Sequence, residues 1–151
     1  MSSSEALATV RKLFEAVARR DAGAYFGAYH PDILINEAPS LPYGGDYRGL
    51  EGALRHAERF RAAWDRFQSE DNRELEPEFL AIGNRVIVLW RLRARATNGD
   101  GIDLPVVSIY RLHDGKIIES RMFPFDTAAL VRFLGRAGTE PTDARQAGEI
   151  R

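Results

Sequence analysis

The chain has 151 residues, a formal net charge of −1, 44% hydrophobic and 28% charged residues, the profile of one ordinary folded domain rather than a disordered chain. It holds no cysteine and only three histidines, His30, His56 and His113, which excludes disulfides, thiolate metal sites and a thiol nucleophile and argues against a histidine-rich metal centre. Balanced charge gives no reason to expect nucleic acid or a membrane surface as partner. The N-terminus does not read as a secretory signal and no stretch is long enough to cross a membrane, so a cytoplasmic protein is expected.

The first helix is predicted over about residues 3–20. Leu7, Val10, Phe14 and Val17 recur at helical spacing, with Leu13 beside them, and Ser2 with Glu5 fits a capping box. A short second helix carries Tyr25, Phe26 and Tyr29 and ends before His30-Pro31. Ile33-Leu34-Ile35 reads as a short strand, followed by a turn-rich loop from Pro39 to Gly49. A third helix is predicted from about Leu50 to Phe67, its buried stripe being Leu50, Ala53, Leu54, Ala57, Phe60 and Trp64.

The second half reads as strands: Glu74 to Ile82, Arg85 to Thr97, Asp103 to Leu112 and Lys116 to Phe125. Asp126 is the expected N-cap of a last helix, Thr127 to Leu134. One domain over residues 1–134 and a flexible tail over 135–151 follow. Helices first and a meander after give an α+β fold, with three N-terminal helices packed on a curved antiparallel sheet and a short closing helix. Such a sheet encloses a conical cavity.

A two-residue turn at Gly83-Asn84 sets Phe79 opposite Val88, Pro77 opposite Trp90 and Leu75 opposite Leu92 on an apolar face. Glu76 then faces Arg91 and Glu74 faces Arg93, an ion-paired ladder rather than a nucleic-acid stripe. Pro77 marks an edge strand. At His113-Asp114-Gly115 the residues leave two registers open. A three-residue loop sets Ser108 opposite Ser120 and Val106 opposite Met122, whereas a two-residue turn pairs Tyr110 with Glu119.

This order of elements resembles the NTF2-like superfamily, which includes SnoaL-like polyketide cyclases, ketosteroid isomerases and limonene-1,2-epoxide hydrolases. The stretch from Leu104 to Arg121 is similar to its closing hairpin, and Asn36 to Gly49, with Leu41-Pro42-Tyr43-Gly44-Gly45, to its cavity-mouth loop. The resemblance spans about residues 4–134 and favours the three-residue loop. It implies a cofactor-independent cyclase, isomerase or hydrolase acting on a hydrophobic small molecule such as a polyketide or terpenoid. The alternatives are a non-catalytic binding protein or a protein-interaction module, and a homodimer is implied under each.

The family's acids and bases do not carry over. The isomerase tyrosine falls on Phe14, its aspartate base on Ala38 or, one residue off, Glu37, and its second aspartate on Ser108. The epoxide-hydrolase set falls on Asn36, Leu34, Trp90, Leu92 and Met122, and an apolar residue transfers no proton. The cavity lining implied is Phe14, Val17, Asn36, His56, Phe60, Trp90, Leu92, Val106, Ser108, Tyr110, Ser120 and Met122. His56 is the expected titratable group, with Asn36 and Tyr110 as further catalytic candidates. Phe14, Tyr43, Phe60, Trp90, Leu92, Ser108, Ser120 and Met122 are the substrate-binding candidates. Tyr43 and Tyr47, flanking Gly44-Gly45, are the expected lid over the entrance. Strand alternation turns Glu37 to the face opposite Asn36. No metal and no cofactor are expected.

Overall fold

A computed structural model describes residues 2–64 and 77–137. Helix α1 (Ser3–Arg19) starts on the predicted capping box: the Ser2 side chain accepts from Glu5 N, and the Glu5 side chain accepts from Ser2 N. Its buried face carries Ala6, Val10, Leu13 and Phe14. Asp21 caps the short α2 (Ala22–Gly27) by accepting from Ala24 N. Strand β1 (Tyr29–Glu37) is longer than Ile33–Ile35 because pairing on both sides extends it.

One of its partners is β2 (Gly45–Arg48), a strand within the segment read as loop. Four residues among glycines carry too little pattern to announce a strand. Helix α3 (Gly49–Trp64) follows, and residues 65–67 of its predicted range lie outside the described residues. Its inward stripe is Gly52, Ala53, His56, Ala63 and Trp64, while Leu50 and Leu54 are exposed. The stripe is rotated from the expected one because Gly52 sits against the Tyr47 backbone, where an added Cβ would lie 2.9 Å from Tyr47 C.

Strands β3 (Glu78–Ile82), β4 (Arg85–Arg95), β5 (Gly101–His113) and β6 (Lys116–Pro124) complete a curved six-stranded sheet of order β2-β1-β6-β5-β4-β3. The sheet is mixed rather than antiparallel throughout, since β1 runs parallel to β6. Phe79 faces Val88 as predicted, and β3, directly after Pro77, is an edge strand. Glu74, Leu75 and Glu76 fall outside the described residues. Within them, Arg91 Nε donates to Asp103 on β5 at 2.8 Å, and Arg93 lies 3.7 Å from the same carboxylate.

The last hairpin follows neither register. Asp114 and Gly115, both with positive φ, make a two-residue turn that pairs His113 with Lys116. A register shift between Arg111 and Leu112 then sets Tyr110 opposite Ser120 and Ser108 opposite Met122. The extra residue keeps Ser108, Tyr110, Ser120 and Met122 on one face.

Helix α4 (Thr127–Ala137) closes the open end, with Asp126 accepting from Ala129 N at 3.0 Å. Leu130, Phe133 and Leu134 are buried against Trp64 and β5 neighbours. Replacing Asp126 by Ala should lower stability by about 1 kcal/mol, the usual loss for an N-cap. Urea unfolding checks this; an unchanged midpoint would show that packing alone sets the helix start.

Candidate functional site

The core is split. One cluster gathers Val10, Leu13, Phe14, Tyr29, Ile33 and Tyr110; the other gathers Tyr43, Trp64, Leu92, Val106, Leu130 and Phe133. Trp90 packs on both. Between them lies a cavity of about 370 Å³, the size of a small-molecule site. Its walls are mainly apolar: Leu13, Phe14, Val17, Phe26, Phe60, Trp64, Trp90, Leu92, Val106, Met122 and Leu130.

One buried polar pair breaks that surface. His56 and Glu37 side chains are only 4% and 1% exposed, and His56 Nε2 lies 2.7 Å from Glu37 Oε2. Two elements bring them together. Alternation along β1 buries Ile33, Ile35 and Glu37 on one side, and α3 turns His56 inward among Tyr43, Tyr47 and Phe60 rings. The other ring nitrogen, His56 Nδ1, is buried with no hydrogen-bond partner among the described residues. Burial raises the Glu37 carboxyl above its ordinary 4.5, and the His56 hydrogen bond pulls the other way without cancelling it.

The pair has two useful forms. With the carboxylate ionised, His56 Nε2–H donates to Glu37 and Nδ1 presents a lone pair. With the bridging proton on Glu37, the carboxyl donates to Nε2 and Nδ1–H becomes a donor. The second form holds one proton more than the first, taken up at Nδ1, so gaining or losing that proton switches the pair between acid and base.

Tyr25, Tyr29 and Tyr110 line the same cavity as Tyr43. The Tyr29 hydroxyl donates to the Tyr25 hydroxyl at 2.6 Å, which leaves Tyr25's own proton for another acceptor. Burial pushes Tyr25 up to about 12 and Tyr29 and Tyr110 upward as well, with the Glu37 charge adding to each. All three therefore remain phenols, donors rather than bases, at neutral pH.

Of the residues singled out from sequence, Phe14, Tyr43, His56, Phe60, Trp90, Leu92, Tyr110, Ser120 and Met122 line the cavity. Ser108 does not; it is buried behind the wall and accepts from Trp90 Nε1 at 2.9 Å. Asn36 faces the other side of β1 and donates to Asp46 on β2. The position expected of Asn36 belongs to Glu37. Tyr43 and Tyr47 are buried rather than an open lid: Tyr47 donates to Tyr43 O at 2.9 Å and Trp64 Nε1 to the Tyr43 hydroxyl at 3.1 Å. Gly44 between them has backbone where a Cβ would go, 2.3 Å from Ala38 O. Away from the cavity, His30, His113 and Asp114 bring potential ligand atoms within 4.8 Å of one another. They are already engaged there: His30 Nδ1 accepts from Asp32 N, and His113 lies 3.3 Å from Asp114.

Helices closing a six-stranded curved sheet over an apolar cavity define an NTF2-like fold, and solved structures bear this out. An NTF2-like protein of unknown function from Burkholderia pseudomallei is 28% identical, with a TM-score of 0.74 over 89% of this chain and 98% of that one. One from Burkholderia xenovorans is 25% identical, with a TM-score of 0.69 over 87% and 97%. A candidate SnoaL-like polyketide cyclase from Jannaschia is 21% identical, with a TM-score of 0.67 over 92% and 95%. No curated protein matches the chain. The SnoaL-like domain profile matches residues 10–120, and the chain belongs to that family. No helix among the described residues is long and apolar enough to cross a membrane.

Proposed function

We propose that the protein is a cofactor-independent enzyme that moves a proton on a hydrophobic small molecule, in the cyclase, isomerase or epoxide-hydrolase class. The observation that carries this reading is the buried His56–Glu37 pair on the cavity wall, with Nδ1 left without a partner among the described residues. A purely structural pair in a core has no reason to leave a ring nitrogen unsatisfied beside a cavity. In the reaction, His56 Nδ1 takes a proton from substrate carbon or oxygen while Glu37 stabilises the imidazolium. The Tyr25 hydroxyl, backed by Tyr29, donates to the substrate oxygen where negative charge collects. The proton then returns from Nδ1 to another substrate atom, and the enzyme is restored.

The test is incubation with a panel of polyketide and terpenoid compounds, read for product and for binding. Both tryptophans of the chain, Trp64 and Trp90, line the cavity, so ligand entry is readable as a change in intrinsic fluorescence. Binding without conversion throughout the panel would return the alternative reading, a non-catalytic small-molecule protein.

The homodimer is proposed to form through the outer sheet face. Leu80 pairs across to Ile87 and Ile109, and Leu89 to Val107 and Phe123. Leu80, Leu89 and Phe123 are exposed, and contiguous apolar surface of this kind marks an interface. Replacing Leu80 and Leu89 by Glu should give a monomer in sedimentation at micromolar concentration, where the unaltered chain is a dimer. A monomeric unaltered chain would sink the proposal.

A further inference from the structure

The cavity rim carries charge that the proton transfer does not use. Arg20, in the turn after α1, and Arg61, in the last turn of α3, both line the opening and are exposed. Among the described residues neither guanidinium has an ion-pair or hydrogen-bond partner. Asp21, the carboxylate at the same rim, is engaged elsewhere. It accepts from Ala24 N at 3.0 Å and lies 4.0 Å from the Arg19 guanidinium. The rim is therefore positive. Arg20 also holds a left-handed backbone, with φ of 57°, a conformation where glycine is the less strained residue. A charged side chain occupies a place where the backbone alone favours none.

The interior has the opposite character. Its walls are apolar, and its acid, Glu37, is buried beside His56. A second carboxylate would be repelled there and stripped of water without compensation. Only one orientation satisfies both ends: apolar body inward, anion outward.

We propose that the ligand is an amphipathic carboxylic acid, its hydrocarbon body in the cavity and its carboxylate held at the rim by Arg20 and Arg61. This rests on the reading of the cavity as a small-molecule site. It adds a direction to that reading, since the substrate atoms farthest from the carboxylate are delivered to His56. Guanidinium groups suit this task because they stay charged and present paired donors to a carboxylate. Arg61 also reaches into the cavity electrostatically, as its charge favours the ionised form of Tyr25.

The experiment compares matched acids and neutral amides by calorimetry: 3-phenylpropanoate, 2-naphthoate and biphenyl-4-carboxylate, each with its carboxamide. At least one acid should bind about tenfold more tightly than its amide, within the roughly 25-fold limit that two exposed charge pairs of up to roughly fivefold each multiply to. The Arg20→Gln/Arg61→Gln variant should lose that preference and keep amide binding, with its melting temperature retained because both side chains are exposed. Added salt should weaken the acids alone. Amides that bind as well as or better than their acids would overturn the anion site and leave the small-molecule cavity standing. So would a preference that survives in the double variant. If no acid or amide binds, the cavity reading fails and the anion site with it.

Discussion

Replacing His56 by Gln is expected to reduce turnover by about 10²- to 10⁴-fold, the range that a positioned proton-transfer group contributes. Glu37→Gln should fall toward the lower end of that range. Its amide oxygen still accepts from Nε2–H and holds the ring, but the charge that stabilises the imidazolium is gone. Ligand binding, read from Trp64 and Trp90 fluorescence, should be nearly unchanged in both, because the apolar walls are untouched. The pH profile adds a second test. Protonating Glu37 removes the charge that supports the base. Since burial raises Glu37 above 4.5, the acid limb of kcat/KM should lie above the ordinary carboxylate range. Asn36→Ala is the control: its side chain bonds Asp46 outside the cavity, so turnover should stay within about twofold, as for most surface changes. A variant at Asn36 as damaged as one at His56 would reverse the assignment.

The contrast between Asn36 and Glu37 shows how far the sequence is legible. Period-two alternation correctly separates the two residues onto opposite faces of β1. It does not say which face is inside, because Leu34 and Ile35 are both apolar. Packing decides: Ile33 and Ile35 fill the core under α1 and α3, and Glu37 follows them inward. The run Ile33-x-Ile35-x-Glu37 was the signal available, an isoleucine alternation ending on a carboxylate. His56 was legible as a residue but not as half of a pair, since its partner is 19 positions away on another element. Tyr25 and Tyr29 read as residues of one short helix, yet the chain turns into β1 between them and their hydroxyls meet in the cavity. The capping box, the Gly83-Asn84 turn and the Asp126 cap are local and were all readable. Strand β2 and the register shift in β6 arise from pairing between distant segments, which local pattern does not encode.

The second large effect concerns stability, and it separates what the pair does for folding from what it does for chemistry. His56→Phe keeps the ring contacts with Tyr43, Tyr47 and Phe60 but leaves Glu37 buried without its partner. Removing one member of a buried ion pair costs about 3–5 kcal/mol. Adding Glu37→Met should recover that loss and bring stability to the unaltered level or above it, since replacing both members by apolar groups is often neutral or stabilising. The pH dependence has a definite sign. Folded Glu37 binds its proton more tightly than the unfolded chain does, so the stability this contributes is complete below 4.5 and is lost as pH rises through the raised folded value. In His56→Phe the opposing hydrogen bond is absent, so the defect should shrink on acidification toward 4.5 and grow toward neutrality. The double variant, with no carboxyl at position 37, should lack that dependence. Urea unfolding at several pH values reads all three. If the double variant is as stable as the unaltered chain and without turnover, the fold does not need the pair. A chain that keeps two ionisable groups where apolar ones pack as well keeps them for proton transfer. If the double variant is instead as unstable as the single one, the pair is structural and the proposed chemistry loses its main support.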